Sequence, residues 1–443
     1  MSAIFLPEFS RGAMSEFFQS NVDVIQRRWP LVAARLLAED PSSLQADLVE
    51  GLGSTLSING IQLTSRHDRT REAQIQAASL ARNSLVLHVY GTGLGDLQLE
   101  LLQRPQLKQL HVHLLNGAVF ALVLQLLDQQ PWLKDPRIEL HYAGDLAEIC
   151  LPFFALPSEL VLADDYNARI RDRLISETHL SFNNREFDPQ SPEVVERLQA
   201  GKTLLQGDGD VAELFGSQTG RDVFVIATGP SLELHFERLR AIREQAERPL
   251  FICVDTAYRP LLEHGIRPDF VVTIDQRISA RHLPPTDTAS IALVYMPMVD
   301  PQVLKDWQGV RYAAYSASPI YQAIRHQLPR GELYVGGSVI HPAVDLAVKM
   351  GAAQITLFGA DFAFPGDKTH AGWGDGDLGP QLVAAKHWVL DGHGQRIKTQ
   401  LNFRSYLCEL ERYIARHPQV RFHNTSRAGA MIAGTAFDPE WTV

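Results

Sequence analysis

The chain has 443 residues, room for two or three domains of roughly 150 residues each. Its 45% hydrophobic content suits a protein that buries real cores, and 51 acidic against 41 basic residues give a formal charge of −10. That balance excludes a protein that wraps a nucleic-acid backbone, and the sparse Cys150, Cys253 and Cys408, with no CxxC pair, exclude a disulfide framework or a cysteine-built zinc site.

In chain order, residues 1–18 carry Glu8, Arg11 and Glu16 and no apolar run, so they do not read as a secretory leader. Residues 13–38 place Phe17, Val22, Ile25, Val32 and Leu36 at three- and four-residue spacing, which predicts two helical pieces separated near Pro30. A further helix is expected over 68–82, with Asp68 as its cap. A β-rich run at 84–90 leads into Gly91-Thr92-Gly93-Leu94-Gly95. Helix at 96–102, strand at 109–115, helix at 119–127 and strand at 138–142 follow, the alternation of a parallel sheet with crossover helices. The glycine turn resembles a dinucleotide loop. The next strand, however, ends in Leu114-Leu115-Asn116 without the acidic residue that would hold a ribose, so the turn reads as scaffold. The apolar stretch at 146–163 is broken by Glu148, Pro152, Pro157 and Glu159, and no membrane span is expected. The protein reads as cytoplasmic.

Residues 181–192 look like a connector, followed by a charged helix at 192–205. A second α/β series then sets strands at 223–227, 250–254, 270–274, 291–295, 312–314 and 355–358. Helices are expected at 232–247 and 339–350, and a helix at 406–417 and a strand at 420–423 close the chain. The fold class expected is therefore α/β, with two consecutive Rossmann-like domains, 1–180 and 181–443, built on mostly parallel sheets. The first is helical plus a degenerate Rossmann-like unit.

The chemistry gathers in the second series. Its strands run into Thr228-Gly229-Pro230-Ser231-Leu232, Asp255-Thr256, Asp275-Gln276 and Gly359-Ala360-Asp361. In an open parallel sheet the ligand crevice lies beyond the carboxyl ends of the strands, and a buried strand has no structural need for a terminal carboxylate. A single such Asp is an ordinary helix cap; three beside a glycine turn point to a polar ligand site. Gly229 allows close backbone approach, Pro230 fits the first helical turn, and the free N–H groups of that turn suit a phosphate. No Walker lysine follows. Gly336-Gly337-Ser338 offers a second glycine-rich entry, to a base or ribose or simply to a capped helix. The run Phe362 to Trp373 reads as a loop over the crevice carrying His370, a candidate base or phosphate partner among 16 histidines.

These residues resemble the motility accessory factors with their MptE-like domain. The likeness is carried by Ala227-Thr-Gly-Pro-Ser-Leu232, Asp255-Thr256, Pro268-Asp269 with Asp275, Gly337-Ser338-Val339, Gly359-Ala-Asp361 through Lys368-Thr-His370-Ala371, and Asn424-Thr-Ser426 with Gly429-Ala430. The Gly-Pro-Ser-Leu turn and Gly359-Ala-Asp-Phe362 are also similar to bacterial CMP-sialic-acid transferases, so the resemblance implies a sialyltransferase-like central domain. It implies transfer of a nonulosonic acid, of pseudaminic or legionaminic type, from its CMP conjugate to Ser or Thr of flagellin. No tightly bound cofactor is implied. Thr228 to Leu232 with Gly336, Gly337, Ser338 and Gly359 would hold the nucleotide and phosphate. Asp255, Thr256, Asp275 and Gln276 would meet hydroxyls. Asp361 would organise the floor, and His370, with His341 behind it, would act as base. A second branch of the family implies instead a Mg²⁺-dependent hydroxymethylpterin diphosphotransferase, with Asp255, Asp275 and Asp361 around the ion. A non-catalytic flagellin-binding role is the third reading.

Overall fold

The structure, a computed structural model, describes residues 4–5, 16–183, 189 and 191–443. The remainder of the opening segment, including the start of the first expected helix, and residues 184–188 and 190 of the expected connector lie outside the described residues. The chain divides into two compact units, Met1–Thr178 and His179–Val443.

In the first unit the two expected helices are Glu16–Arg28 and Pro30–Leu36, the second opening on its proline. Four short strands that no alternation announced, β1 (Ile4–Phe5), β2 (Ala46–Val49), β3 (Thr55–Ile58) and β4 (Ile61–Gln62), form an antiparallel sheet in that order. Asp68 caps the helix Arg69–Ala78, its carboxylate accepting from the Arg71 N–H at 2.8 Å. The parallel sheet holds β5 (Val86–Tyr90), β6 (Gln109–Leu114), β7 (Ile138–Tyr142) and β8 (Phe153–Ala155), in the order β7-β6-β5-β8. Leu87, Val89, Leu110, Val112, Ile138 and Leu140 bury one face in the core. The alternate positions line up His88 opposite His111 and His113 opposite His141, with ring centroids 4.7 and 5.3 Å apart.

At the end of β5 the three glycines of the turn all take positive φ, 98°, 52° and 93° at Gly91, Gly93 and Gly95. Its donors are already occupied. The buried Glu159 carboxylate accepts from the Thr92 and Gly93 N–H groups, both at 2.5 Å, and a Cβ on Gly91 would stand 2.9 Å from that carboxyl carbon. An internal carboxyl group, pushed by burial up to about 7, thus sits where a phosphate would bind, and Asn116 at the end of β6 caps the next helix rather than holding a ribose.

The second unit is built on nine strands: β9 (Gly209–Asp210), β10 (Asp222–Ile226), β11 (Leu250–Val254), β12 (Phe270–Thr273), β13 (Ala292–Tyr295), β14 (Arg311–Ala313), β15 (Gln354–Phe358) and, beyond a separate hairpin of β16 (His387–Leu390) and β17 (Arg396–Thr399), β18 (Arg421–Asn424) and β19 (Ala436–Phe437). Their order is β19-β18-β15-β10-β11-β12-β13-β14-β9, and every neighbouring pair is parallel. Val225, Ile252, Val271, Leu293 and Leu357 are fully buried, as both-face burial of a parallel sheet demands. From β10 the chain steps outward through β14, then returns across β10 to β15. The strand order therefore reverses between β10 and β15, where a ligand crevice opens in such sheets.

Two expected helices are displaced. The one expected at 232–247 starts as a 3-10 turn, Pro230–His235, and is α-helical only over Phe236–Arg243, with the Ser231 N–H bonded to a carboxylate. The one expected at 406–417 spans Leu401–Ala415, the apolar spacing of Phe403, Leu407, Leu410 and Ile414 carrying it back a turn. Among the described residues, no helix is long and apolar enough to cross a membrane.

Candidate functional site

The end of β10 and the end of β15 meet at the reversal point. The Gly229 N–H donates to Gly359 O at 2.7 Å, and a Cβ on Gly229 would stand 2.4 Å from both Gly359 O and Asp361 Oδ2. Only glycine lets the strand ends come this close. Asp361 Oδ2 accepts from the Ser231 N–H at 2.8 Å, and a Cβ on Gly429 would stand 2.5 Å from Oδ1, which is buried with no hydrogen-bond partner. Burial raises the Asp361 carboxyl above the usual carboxylate range, against the pull of its bonds to Ser231 and Ser426. The first-turn N–H that the sequence offers to a phosphate is thus taken by the floor carboxylate, which anchors the turn across the crevice.

The loop after Asp361 is stitched to the strand ends by backbone bonds. Phe362 takes a left-handed φ of 46°, a strained geometry of order 1–3 kcal/mol for a non-glycine residue, and Ala371 N–H donates to Thr228 O at 2.8 Å. The Trp373 indole donates to Thr256 O at 2.9 Å, while the Thr228 and Thr256 hydroxyls meet at 2.6 Å. These bonds fix His370 between them. Its Nδ1 is buried and unpartnered, and burial pulls the imidazole down to about 4, so the ring is neutral near pH 7.

Two cavities adjoin here. The smaller, about 100 Å³, is lined by Thr228, Gly229, Gly359, Asp361 and Thr369. At about 30 Å³ of liquid volume per water it has room for a group of a few heavy atoms. The wider, about 390 Å³, is lined by Asp255, Asp275, Arg277, Gly337 and the 378–380 loop. Thr256, Ser338, Val339, His370, Phe403 and Tyr406 line both, so they form the wall between the two.

Asp255 starts the helix Asp255–Glu263 and is 2% exposed; its Oδ1 accepts from the Thr256 N–H at 2.8 Å while its Oδ2 has no partner. Burial, with the neighbouring Asp275 adding to it, pushes this carboxyl up to about 7. Asp275 is half-exposed and paired with Arg277 at 3.1 Å. The three carboxylates therefore do not converge on one point: Asp361 faces the small cavity, Asp255 and Asp275 the wide one. Among the described residues, no three His, Cys, Asp or Glu side chains group as metal ligands, so a Mg²⁺ ion here would have two carboxylates rather than the expected three.

Several other sequence candidates line neither cavity. Ser231 and Leu232 are buried and Pro230 opens the 3-10 turn, Gln276 is exposed, and Gly336 packs under Glu409 and His341. His341 is buried with both ring nitrogens engaged, Nε2 2.9 Å from Tyr406 O and Nδ1 2.9 Å from Ser338 O and 3.2 Å from the Ser338 N–H nitrogen. Burial keeps this ring neutral as well, and it ties the Gly336–Ser338 turn to the closing helix. Sequence reading missed Phe403, Tyr406, Asn402 and Gln400 on the cavity wall; no acidic or glycine signal marks them, and only their place at the start of a helix facing the crevice reveals them.

A doubly wound parallel sheet with a cleft at its reversal point is thus the class of protein that this second unit defines. Residues 198–367 match the family described as MptE-like, 6-hydroxymethylpterin diphosphokinase MptE-like. The chain is also similar to the structure of MAf glycosyltransferase from Magnetospirillum magneticum AMB-1, at 18% identity and a TM-score of 0.43, over 97% of this chain and 76% of that one. No curated protein matches the chain.

Proposed function

We propose that the second unit is a glycosyltransferase that moves a nonulosonic acid, of pseudaminic or legionaminic type, from its CMP conjugate to a Ser or Thr hydroxyl of flagellin. The reading is carried by one observation: His370 stands in the wall shared by the two cavities, so a leaving group in one and an acceptor beside the other meet the same imidazole. The motifs shared with the motility accessory factors supply the donor and acceptor.

In this scheme the acceptor oxygen attacks the anomeric carbon, the bond from that carbon to the phosphate oxygen breaks, and CMP leaves with the bonding pair. The configuration inverts. The hydroxyl proton passes to His370, whose neutral ring has an unpartnered Nδ1 to receive it. The Thr228 and Ser338 hydroxyls, both on the smaller cavity, hold the phosphate, since the N–H groups of the Gly229 turn are engaged, and Asp255 and Asp275 receive ribose or sugar hydroxyls. Burial that pushes the Asp255 carboxyl up to about 7 limits the repulsion an anionic donor meets. His341 acts through the turn it braces. No tightly bound cofactor enters.

Flagellin from cells with and without the gene should differ in intact mass by whole sugar units; an unchanged mass sinks the acceptor assignment. His370→Ala should lower turnover by roughly 10²- to 10⁴-fold, and transfer at the parent rate would remove His370 from the chemistry.

A second reading, diphosphate transfer to a hydroxymethylpterin, is favoured by the description of the matching family. It predicts binding of ATP in preference to CMP and loss of activity with a chelator.

A further inference from the structure

Phe403 and Tyr406 lie three residues apart on the helix Leu401–Ala415, so they project from one face of it. Leu407, Leu410, Tyr413 and Ile414 of the same helix belong to the apolar core of the second unit; Phe403, at the start of that stripe, and Tyr406 lie outside it, and Phe403 rests on the buried Phe364 with ring centroids 5.5 Å apart. Both are half-buried, and both line each cavity. Phe403 meets the His370 ring edge-on, with centroids 6.2 Å apart and planes at 87°, and the Tyr406 ring at 6.2 Å, tilted by 44°. Two aromatic side chains therefore leave apolar area in a polar cleft, beside the ring assigned to the chemistry. Gln400 and Asn402 bring side-chain amides to the rim of the wider cavity, and Asn402 Oδ1 accepts from the Phe403 N–H at 3.0 Å, which fixes the start of the helix.

We infer that Phe403 and Tyr406 form a stacking face for a planar heteroaromatic ring, the nucleobase of the donor, whose polar edge meets the amides of Gln400 and Asn402. This rests on the reading of the cavities as a nucleotide site and assigns the base to the wider one. A sugar ring can lay only its C–H face on these residues, and its hydroxyls are better met by Asp255 and Asp275 in the same cavity. A base does have one, and aromatic stacking commonly changes affinity by on the order of ten- to a hundredfold per base. A pterin shares the same planar, amide-edged chemistry, so the test separates the two.

Calorimetric titration of the full chain with CMP, ribose 5-phosphate and 6-hydroxymethylpterin decides the matter. CMP should bind the parent protein more tightly than ribose 5-phosphate does. Phe403→Leu should weaken CMP by on the order of ten- to a hundredfold and leave ribose 5-phosphate unchanged, while Phe403→Trp retains CMP. Tyr406→Leu provides the same comparison should Phe403→Leu fail to fold. Leucine variants that bind CMP as the parent does, or that lose both ligands equally, overturn the stacking face and leave the nucleotide site standing. A parent protein that binds the pterin and not CMP overturns the nucleobase assignment. One that binds none of the three overturns the nucleotide reading and this inference together.

Discussion

Asp255→Asn removes a carboxylate that the fold holds buried, one oxygen bonded to the Thr256 N–H and the other unpartnered. Burial carries this group from its ordinary 3.8 to about 7 in the folded protein. Below pH 3.8 both folded and unfolded chains hold the proton. Between there and about 7 the unfolded chain has lost it while the folded one keeps it, so stability falls as pH rises, and the loss is complete above the folded value. At about 1.4 kcal/mol per decade of proton affinity, those three decades cost the folded state on the order of 4 kcal/mol. Asparagine keeps the acceptor for Thr256 and carries no charge. The variant should therefore be more stable than the parent at pH 8, by up to about 4 kcal/mol, and the advantage should shrink to nearly nothing at pH 4. Urea denaturation of the full chain measures this through the fluorescence of Trp307, Trp373, Trp388 and Trp441, which lie in the second unit. An asparagine variant less stable at pH 8, or equally displaced at both pH values, would refute the reasoning. Activity should fall in the same variant, since a carboxylate kept at such a cost belongs to a working site.

Gly229→Ala keeps an allowed φ of −61° but drives a Cβ to 2.4 Å from Asp361 Oδ2 and Gly359 O. It should cost roughly 1–3 kcal/mol of stability by overpacking, read by thermal denaturation; an alanine variant that melts with the parent would contradict the strand-end packing described. In the first unit, Glu159→Gln keeps an acceptor for the Thr92 and Gly93 N–H groups and should stay within about 1 kcal/mol of the parent, whereas Glu159→Ala orphans both and should lose roughly 2–5 kcal/mol. Equal melting of the two variants would show that the carboxylate does not satisfy that turn.

Much of the scaffold was legible because local composition decides it. Runs such as Val223 to Ile226 and Leu250 to Val254 are apolar on both faces and can only be buried parallel strands, and the glycine and aspartate that end them mark where the sheet meets its ligand edge. The short strands of the antiparallel sheet carry no such signal, being two to four residues long. Histidine placement was illegible for another reason. His88, His111, His113 and His141 form one stacked patch only because β5, β6 and β7 pair in a particular register.

The sequence alone determined the longer strands of the two parallel sheets, and that polar tips gather at one edge of the second. Tertiary structure decided what each tip does. Ser231 and Asp361 are 130 residues apart, and only the reversal of strand order between β10 and β15 makes the second the partner of the first. The same packing divides the three carboxylates between two cavities, leaves His341 braced behind the wall and His370 within it, and sets Phe403 and Tyr406 on that wall. A carboxylate's burial, and hence its proton affinity, depends on neighbours far away in the chain, and no local pattern encodes it.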